Sequence, residues 1–115
     1  MLFSMFDTKA SVFGALITLE NADVARRMFV TSILSGQESP VTQFPDDFIL
    51  YEMGGFDNST GIFVIHPAPI KVMTGFEAVE AAKKYVEERE RRRFDVTRQQ
   101  VTDDTESIDS SGQSN

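Results

Sequence analysis

Apolar residues in the first half of the chain fall into short runs separated by turn-forming clusters, a pattern typical of a sheet with short connections. Leu2–Phe6 predicts a first strand, Asp7–Ser11 a turn, and Val12–Leu19 a second strand in which Gly14 is a candidate bulge position. Both faces of the first strand are largely apolar. A sheet with one fully solvated face is therefore not expected here.

The segment Phe44–His66 predicts a hairpin around which the rest of the chain packs. Its first strand is expected over Phe48–Met53, after a turn that Pro45 and two aspartates favour. Its second strand is expected over Ile62–Ile65 and is ended by Pro67. Between the strands, paired glycines and a cluster of polar residues predict a long connection.

Apolar residues three and four positions apart predict two helices. Asn21 is a good N-cap for a helix over residues 22–34. Its inward stripe comprises Ala25, Met28, Phe29, Ser32 and Ile33. Residues 37–44 are expected to form a loop. The sequence Thr74-Gly75-Phe76-Glu77 matches a capping box and predicts the start of the second helix. One face of that helix carries Ala78, Val79, Ala82, Tyr85 and Val86.

These elements predict an α+β fold: a four-stranded, mainly antiparallel sheet in the order β-β-α-β-β, one covering helix, a C-terminal helix and a disordered acidic tail. The expected boundaries are residues 1–75 for the compact core, 76–94 for the charged helix and 95–115 for the tail, whose polar composition is typical of disorder. One helix cannot cover two apolar sheet faces. A homodimer is therefore expected, through the uncovered sheet or through Ala78–Val86.

Charge and composition narrow the class of protein. The net charge of −7 divides into −4 over residues 95–115, which hold five acids and one arginine, and −3 over the remainder. The predicted core is thus only mildly acidic. The net charge of the chain is therefore a weaker argument against nucleic-acid binding than its value of −7 indicates. The chain has no cysteine, no apolar run of the roughly 18 residues that span a bilayer, and no secretory pattern at its start. No membrane association is expected.

Candidate catalytic or metal-binding residues are few. His66 is the only histidine and is interpreted as an ordinary residue at a strand end. Two polar clusters, Asp46–Asp47 and Asp57–Ser59, fit turns better than a calcium loop, because the EF-hand spacing is missing. No phosphate-binding glycine motif occurs either. The sequence therefore predicts neither an enzyme nor a cofactor.

Aromatic and basic residues leave two interpretations open. Seven aromatic residues lie on or beside strands: Phe3, Phe6, Phe13, Phe48, Tyr51, Phe56 and Phe63. They are either core residues or a platform on which bases stack, the second if some are exposed beside the basic positions Lys9, Arg26, Arg27 or Lys71. The basic run Arg89–Arg93 either contacts phosphates or forms a solvated helix end paired with its own glutamates. An acidic tail can also mimic nucleic acid.

Four segments in order carry a family resemblance: M-F-D-T-K-A, A-R-R-M-F, F-P-D-D-F-I-L-Y-E-M-G-G-F-D-N-S-T-G-I, and a proline pair. Over roughly residues 5–75 the chain resembles the small nonstructural protein of gokushoviruses, single-stranded DNA phages of the Microviridae. The resemblance implies a non-catalytic, DNA-associated role in the switch from replication to genome packaging, and thus the cytoplasm of the host bacterium. It carries over no catalytic residues.

Two functions are compatible with these features of the sequence. The first is single-stranded DNA binding through Lys9, Arg26, Arg27 and Lys71, the basic positions within the segment of resemblance. The second is a protein-interaction module that docks on the replication initiator or the procapsid and does not grip DNA. Phage replication or capsid proteins are the expected partners in that case.

Overall fold

The computed structural model describes the backbone of residues 1–112 and the side chains of residues 1–95. It confirms an α+β fold built on one antiparallel sheet. The strands are β1 (Leu2–Asp7), β2 (Val12–Phe13), β3 (Ile17–Thr18), β4 (Phe48–Asp57) and β5 (Ile62–Thr74). The helices are α1 (Ala22–Leu34), α2 (Pro40–Gln43) and α3 (Gly75–Gly112), with a 3-10 turn over Pro45–Asp47.

The sheet has the order β2-β1-β4-β5, and the short strand β3 also pairs with β1. The predicted second strand, Val12–Leu19, is wrong as a single element, because it forms two strands of two residues each. The irregularity lies at the candidate bulge position, Gly14. Its N–H donates to the Met5 carbonyl over 2.8 Å, and its carbonyl accepts from the Ser4 hydroxyl over 3.0 Å. These bonds keep the segment attached to β1 without a regular ladder.

The central hairpin is longer than predicted, and its connection is shorter. β4 continues through the paired glycines to Asp57, so that only residues 58–61 connect it to β5. Pro67 does not end β5, because residues 66–69 bulge opposite Met53, between the pairs Glu52–Ile70 and Gly54–Ile65. A proline has no N–H for a ladder, and an edge strand with a bulge is where it is tolerated.

The core lies between one face of the sheet and α1. Phe3 and Leu50 from the sheet are fully buried against Ala25 and Phe29 of the helix. The predicted bounds of α1 are confirmed, and Asn21 caps it by accepting from the Val24 N–H over 2.9 Å. The predicted stripe needs one correction. Met28 is half-buried beside a surface groove, whereas Val30, outside the predicted stripe, packs against the core.

The sequence predicts the start of α3 but does not predict α2. The predicted loop over residues 37–44 contains α2, where Ser39 and Thr42 form a capping box and Pro40 occupies the first turn. The capping box of α3 is confirmed: Thr74 N–H donates to Glu77 Oε1 over 2.9 Å, and Glu77 N–H donates to the Thr74 hydroxyl over 3.1 Å.

The chain divides into two compact units, Met1–Ala82 and Lys83–Asn115. In the second unit, Arg92 lies 3.5 Å from Glu88, one of the predicted pairs four residues apart, and Arg89 lies over the ring of Tyr85. α3 continues to Gly112, past the predicted helix end at residue 94, and the predicted disorder of residues 95–115 stays a prediction.

Candidate nucleic-acid interface

Three aromatic residues share the sheet face opposite α1. Phe3 lies on the helix side, so its neighbour along β1, Ser4, and the alternate residue Phe6 point to the other side. Phe6 is directly opposite Phe13 on β2, and Ser4 is directly opposite Tyr51 on β4. Directly opposite residues of an antiparallel pair share a face. Phe6, Phe13 and Tyr51 are therefore together on the face that α1 does not cover.

The three rings contact one another. The ring centroids of Phe6 and Phe13 are 4.7 Å apart, those of Phe13 and Tyr51 5.6 Å, and those of Phe6 and Tyr51 6.3 Å. The tilted and edge-on orientations are the favourable ones for aromatic pairs. Phe13 is 41% exposed, and the other two rings are half-buried. The cluster thus presents one accessible ring that its neighbours hold in place.

Lys71 lies beside this cluster because of a bulge in β5. Leu50 is opposite Met73, whereas the next residue of β4, Tyr51, is opposite Lys71, so Val72 is the extra residue. The extra residue changes which face the following positions occupy. Val72 and Met73 both pack towards the core, and exposed Lys71 shares the face of Tyr51. We name Phe6, Phe13, Tyr51 and Lys71 the aromatic face.

Lys9 is placed at the end of the sheet where Phe6 pairs with Phe13. It lies in the turn between β1 and β2, and it is exposed. Asp7 Oδ1 accepts from the N–H groups of Lys9 and Ala10, over 3.0 and 3.1 Å, and thereby fixes the turn. Lys9 is thus carried on a defined turn at the end of β1 and β2.

The other two predicted DNA-binding residues lie on α1, across the sheet from the aromatic face. Arg26 forms an ion pair of 2.6 Å with Asp23, one turn earlier in the helix. Arg27 is exposed and lines a surface groove together with Met28 and Thr31. The four predicted residues therefore do not form one patch: Lys71 lies on the aromatic face, Arg26 and Arg27 lie on α1, and Lys9 lies in the turn between β1 and β2.

The carboxylate of Glu77 interacts with positive charges on both sides of the sheet. The pKa of Glu77 is lowered chiefly by the hydrogen bond from the Thr74 N–H, then by the Thr74 hydroxyl, and further by the positive charges of Lys71 and Arg26. Lys71 is thus not isolated from negative charge. A bound phosphate would share this lysine with an acid at the start of α3.

The remaining polar candidates lie at separate places in the sheet and its turns. His66 is not simply a strand-end residue, because its Nε2 lies 2.7 Å from Glu52 Oε2 in a half-buried pair. Asp57 accepts from the Ser59 hydroxyl and N–H, as a turn residue does, and these bonds lower its pKa. Among the described side chains, His, Asp and Glu form no group of three or more that could hold a metal ion. No helix within the described residues has the length and apolar character needed to cross a membrane.

The structure divides the seven aromatic residues that the sequence left undecided. Phe3 and Phe48 belong to the core. Phe56 and Phe63 stand opposite each other near the hairpin end, with ring centroids 4.7 Å apart. The three remaining residues form the cluster on the aromatic face. The alternation along β1 and its tight turn could have indicated Phe6 and Phe13, but Lys71 depends on a bulge that no local pattern marks.

A small α+β domain with one helix-covered sheet face and one face bearing aromatic rings is the class that these features define. The model of a family described as Phage ORF5 protein matches residues 1–78 of the 115 residues. The chain belongs to this phage protein family, and the matched segment includes the whole aromatic face. No curated protein and no solved structure matches the chain.

Proposed function

We propose that this phage protein binds single-stranded DNA on the aromatic face, without catalysis. The observation that carries the proposal is the contact cluster of Phe6, Phe13 and Tyr51 opposite α1, with Lys71 directly across from Tyr51. Unpaired bases stack on such rings regardless of their sequence, while lysines beside the rings contact the backbone. Double-stranded DNA keeps its bases stacked on one another and does not offer them to a ring.

The charge of the molecule fits weak or moderate binding that depends on stacking more than on phosphate contacts. Lys71 is on the aromatic face, Lys9 lies in the turn between β1 and β2, and the chain as a whole is acidic. Each phosphate contact to single-stranded DNA contributes roughly 0.7 to the slope of log K against log salt. A slope of only about 1 to 2 is therefore expected from two lysines.

The phage family and the resemblance to gokushovirus nonstructural proteins support the following biological setting for the proposal. A single-stranded DNA phage must keep its product strand accessible between replication and packaging. A small protein that covers unpaired bases reversibly suits that step, in the cytoplasm of the host bacterium. In this proposal Lys9 and Lys71 contact DNA. The experiment below tests whether Arg26 and Arg27 contact it as well.

The experiment is a fluorescence anisotropy titration of the protein with single- and double-stranded oligonucleotides over a range of salt. Phe13→Ala removes the exposed ring and should weaken single-strand binding by roughly 5- to 150-fold, since stacking contributes about 1–3 kcal/mol per base. Lys71→Gln should reduce the salt slope by about 0.7. Phe44→Ala removes a phenylalanine that is 60% exposed but lies outside the sheet, and it should bind like the wild type.

Equal losses in the Phe44 and Phe13 variants would refute the aromatic face as the binding site. A double variant, Arg26→Gln with Arg27→Gln, tests the helix side, and a flattened salt slope there would move the site to α1. A protein that shows no affinity for single strands even at low salt would refute direct binding. The interaction module that docks on replication or capsid proteins would then be the better proposal, and the exposed apolar end of the hairpin favours it.

A further inference from the structure

Four consecutive apolar side chains stand exposed at the end of the central hairpin. Ile62, Phe63, Val64 and Ile65 are between 57% and 66% exposed. They lie on β5, an edge strand of the sheet. Ile65 is opposite Gly54, which forms the last pair between β1 and β4 with Leu2, and the other three residues extend beyond that pair. We name Ile62–Ile65 the hairpin edge.

The hairpin edge lacks the features that normally protect an edge strand. Such strands usually carry lysine, proline or a bulge, which prevent pairing with another chain. β5 has these features only farther along, where Pro67 and Pro69 lie in the bulged segment. The hairpin edge itself has no charge and no proline. It is a short, open template for one more strand.

The backbone orientation shows which groups are open. Gly54 adopts a φ of +151°, and a side chain there would collide with the Val64 carbonyl oxygen, so this oxygen faces β4. Along an antiparallel strand the N–H and C=O groups of alternate residues point to opposite sides. The groups of Phe63 and Ile65 therefore point away from β4, to the open side.

We propose that the hairpin edge pairs with the same strand of a second copy, antiparallel and about a two-fold axis at Val64. In this register Phe63 lies opposite Ile65 of the partner subunit, and Ile65 lies opposite the partner's Phe63. All outward N–H and C=O groups of these two residues are then satisfied. A shift that places Phe63 opposite the partner's Pro67 would lose a donor, because proline has no N–H. An isologous contact of this kind closes as a dimer.

The area of the contact sets the strength of the dimer. Strand pairing covers the backbone edge and the flanks of Ile62–Ile65, whereas the ends of these side chains project above and below the sheet and Phe56 on β4 lies outside the contact. The contact is therefore smaller than the roughly 800 Å² per partner of a standard stable interface. A weak dimer is expected, with a dissociation constant in the micromolar range.

Such pairing would join the two sheets into one. The two-fold axis between antiparallel strands is perpendicular to the sheet, so both copies would present the same face on the same side. Two aromatic faces would then be available to one strand of DNA. This consequence rests on the proposed function, whereas the pairing itself does not, and it can be measured in the absence of DNA.

The first test is the mass of the full-length protein by sedimentation equilibrium over a range of concentrations. The wild type should be a dimer at concentrations about ten times a micromolar dissociation constant. Ile65→Lys places a charge in the pairing segment and should give a monomer of 12.9 kDa. Ile70→Lys, on the same strand beyond the prolines and 50% exposed, is the control and should remain dimeric. A monomeric wild type, or a dimer that persists in the Ile65 variant, would overturn the proposal.

A second test reads the register directly, because the chain has no cysteine. Val64→Cys places two thiols across the proposed axis, in a non-hydrogen-bonded pair with Cα atoms about 4.5 Å apart, within the range that a disulfide spans. Mild oxidation should convert most of this variant to a covalent dimer. Leu16→Cys, at a position 60% exposed and outside the hairpin, should stay largely monomeric on a non-reducing gel. Equal cross-linking of both variants would refute the register.

Discussion

Among single residues, Gly54 shows that a sequence pattern can identify an unusual position and still predict the wrong structure there. The paired glycines predict an interruption of the strand, yet β4 passes through them. Gly54 instead absorbs the shift in register between β4 and its neighbours. Its φ of +151° and its contact with the Val64 carbonyl leave no room for a side chain. The residue allows the strand to continue.

We predict that Gly54→Ala destabilises the fold by about 2 kcal/mol or more, because a strained φ costs about 1–3 kcal/mol and the clash with the Val64 carbonyl adds to it. Urea unfolding measures the change. Gly14→Ala is the matched control, since a Cβ there would be 3.6 Å from the Met5 carbonyl oxygen, an ordinary contact. Similar losses in the two variants would mean that strand propensity, and not the geometry of Gly54, explains the effect.

His66 shows what residue patterns cannot supply. The sequence identifies it as the only histidine and places it near proline, but its partner Glu52 is fourteen positions away. The two side chains meet because residues 66–69 bulge opposite Met53, and the bulge is a property of the pairing, not of either strand alone. Lys71 reaches the aromatic face for the same kind of reason.

At the scale of elements, the starts of α1 and α3 are predictable and the strand lengths are not. Asn21 and the Thr74–Glu77 capping box act within one turn, so the sequence contains all that fixes these two ends. The far end of β5 depends instead on where the strand lies in the sheet. A proline would end a central strand, but β5 is at an edge and continues through Pro67 and Pro69 to Thr74.

The capping box of α3 makes stability depend on pH through Glu77. The hydrogen bond from the Thr74 N–H lowers the pKa of this carboxyl below its usual value of 4.5. A group whose pKa is lowered by folding stabilises the native state above its unfolded pKa, and that contribution is lost as the pH falls through the folded pKa. We predict that Glu77→Gln is less stable than the wild type at pH 7 and that the difference shrinks towards zero as the pH falls below about 4.

Denaturant unfolding at several pH values between 7 and 3 checks this prediction, with Glu38→Gln as a control at an exposed loop carboxylate. The control should follow the wild-type profile. A constant difference between Glu77→Gln and the wild type over the whole range would show that the carboxylate charge has no part in the cap and that the variant acts only through packing.

Over the whole molecule, the distribution of charge opposes DNA binding, because most of the negative charge lies in the C-terminal segment. We interpret this distribution as a means of regulating DNA binding. The matched segment, residues 1–78, contains Lys9, Arg26, Arg27 and Lys71 as its only lysines and arginines. Residues 95–115 add five acids and one arginine, a net charge of −4 out of −7. Polyanions compete with DNA for cationic sites, and the competition is strongest at low salt. The C-terminal segment is therefore expected to weaken DNA binding by the rest of the chain.

We predict that truncation after Phe94 leaves the thermal midpoint nearly unchanged and strengthens single-strand binding. The midpoint should hold because, among the side chains that the structure describes, those buried in the core all lie before Lys83. The affinity should rise because the net charge of the chain becomes less negative, changing from −7 to −3. Screening makes this gain largest at low salt and removes it near 1 M, where the Debye length is about 3 Å.

A charge-matched variant separates charge from length in this experiment. It keeps all 115 residues and replaces Asp103, Asp104, Glu106 and Asp109 with their amides. If electrostatic competition is the cause, this variant should bind as tightly as the truncated protein, in the same anisotropy titration. Truncation that weakens binding, or that strengthens it equally at low and high salt, would contradict the competition. A large fall in the thermal midpoint would instead show that residues 95–115 contribute to folding, and the expected boundary at residue 94 would be wrong.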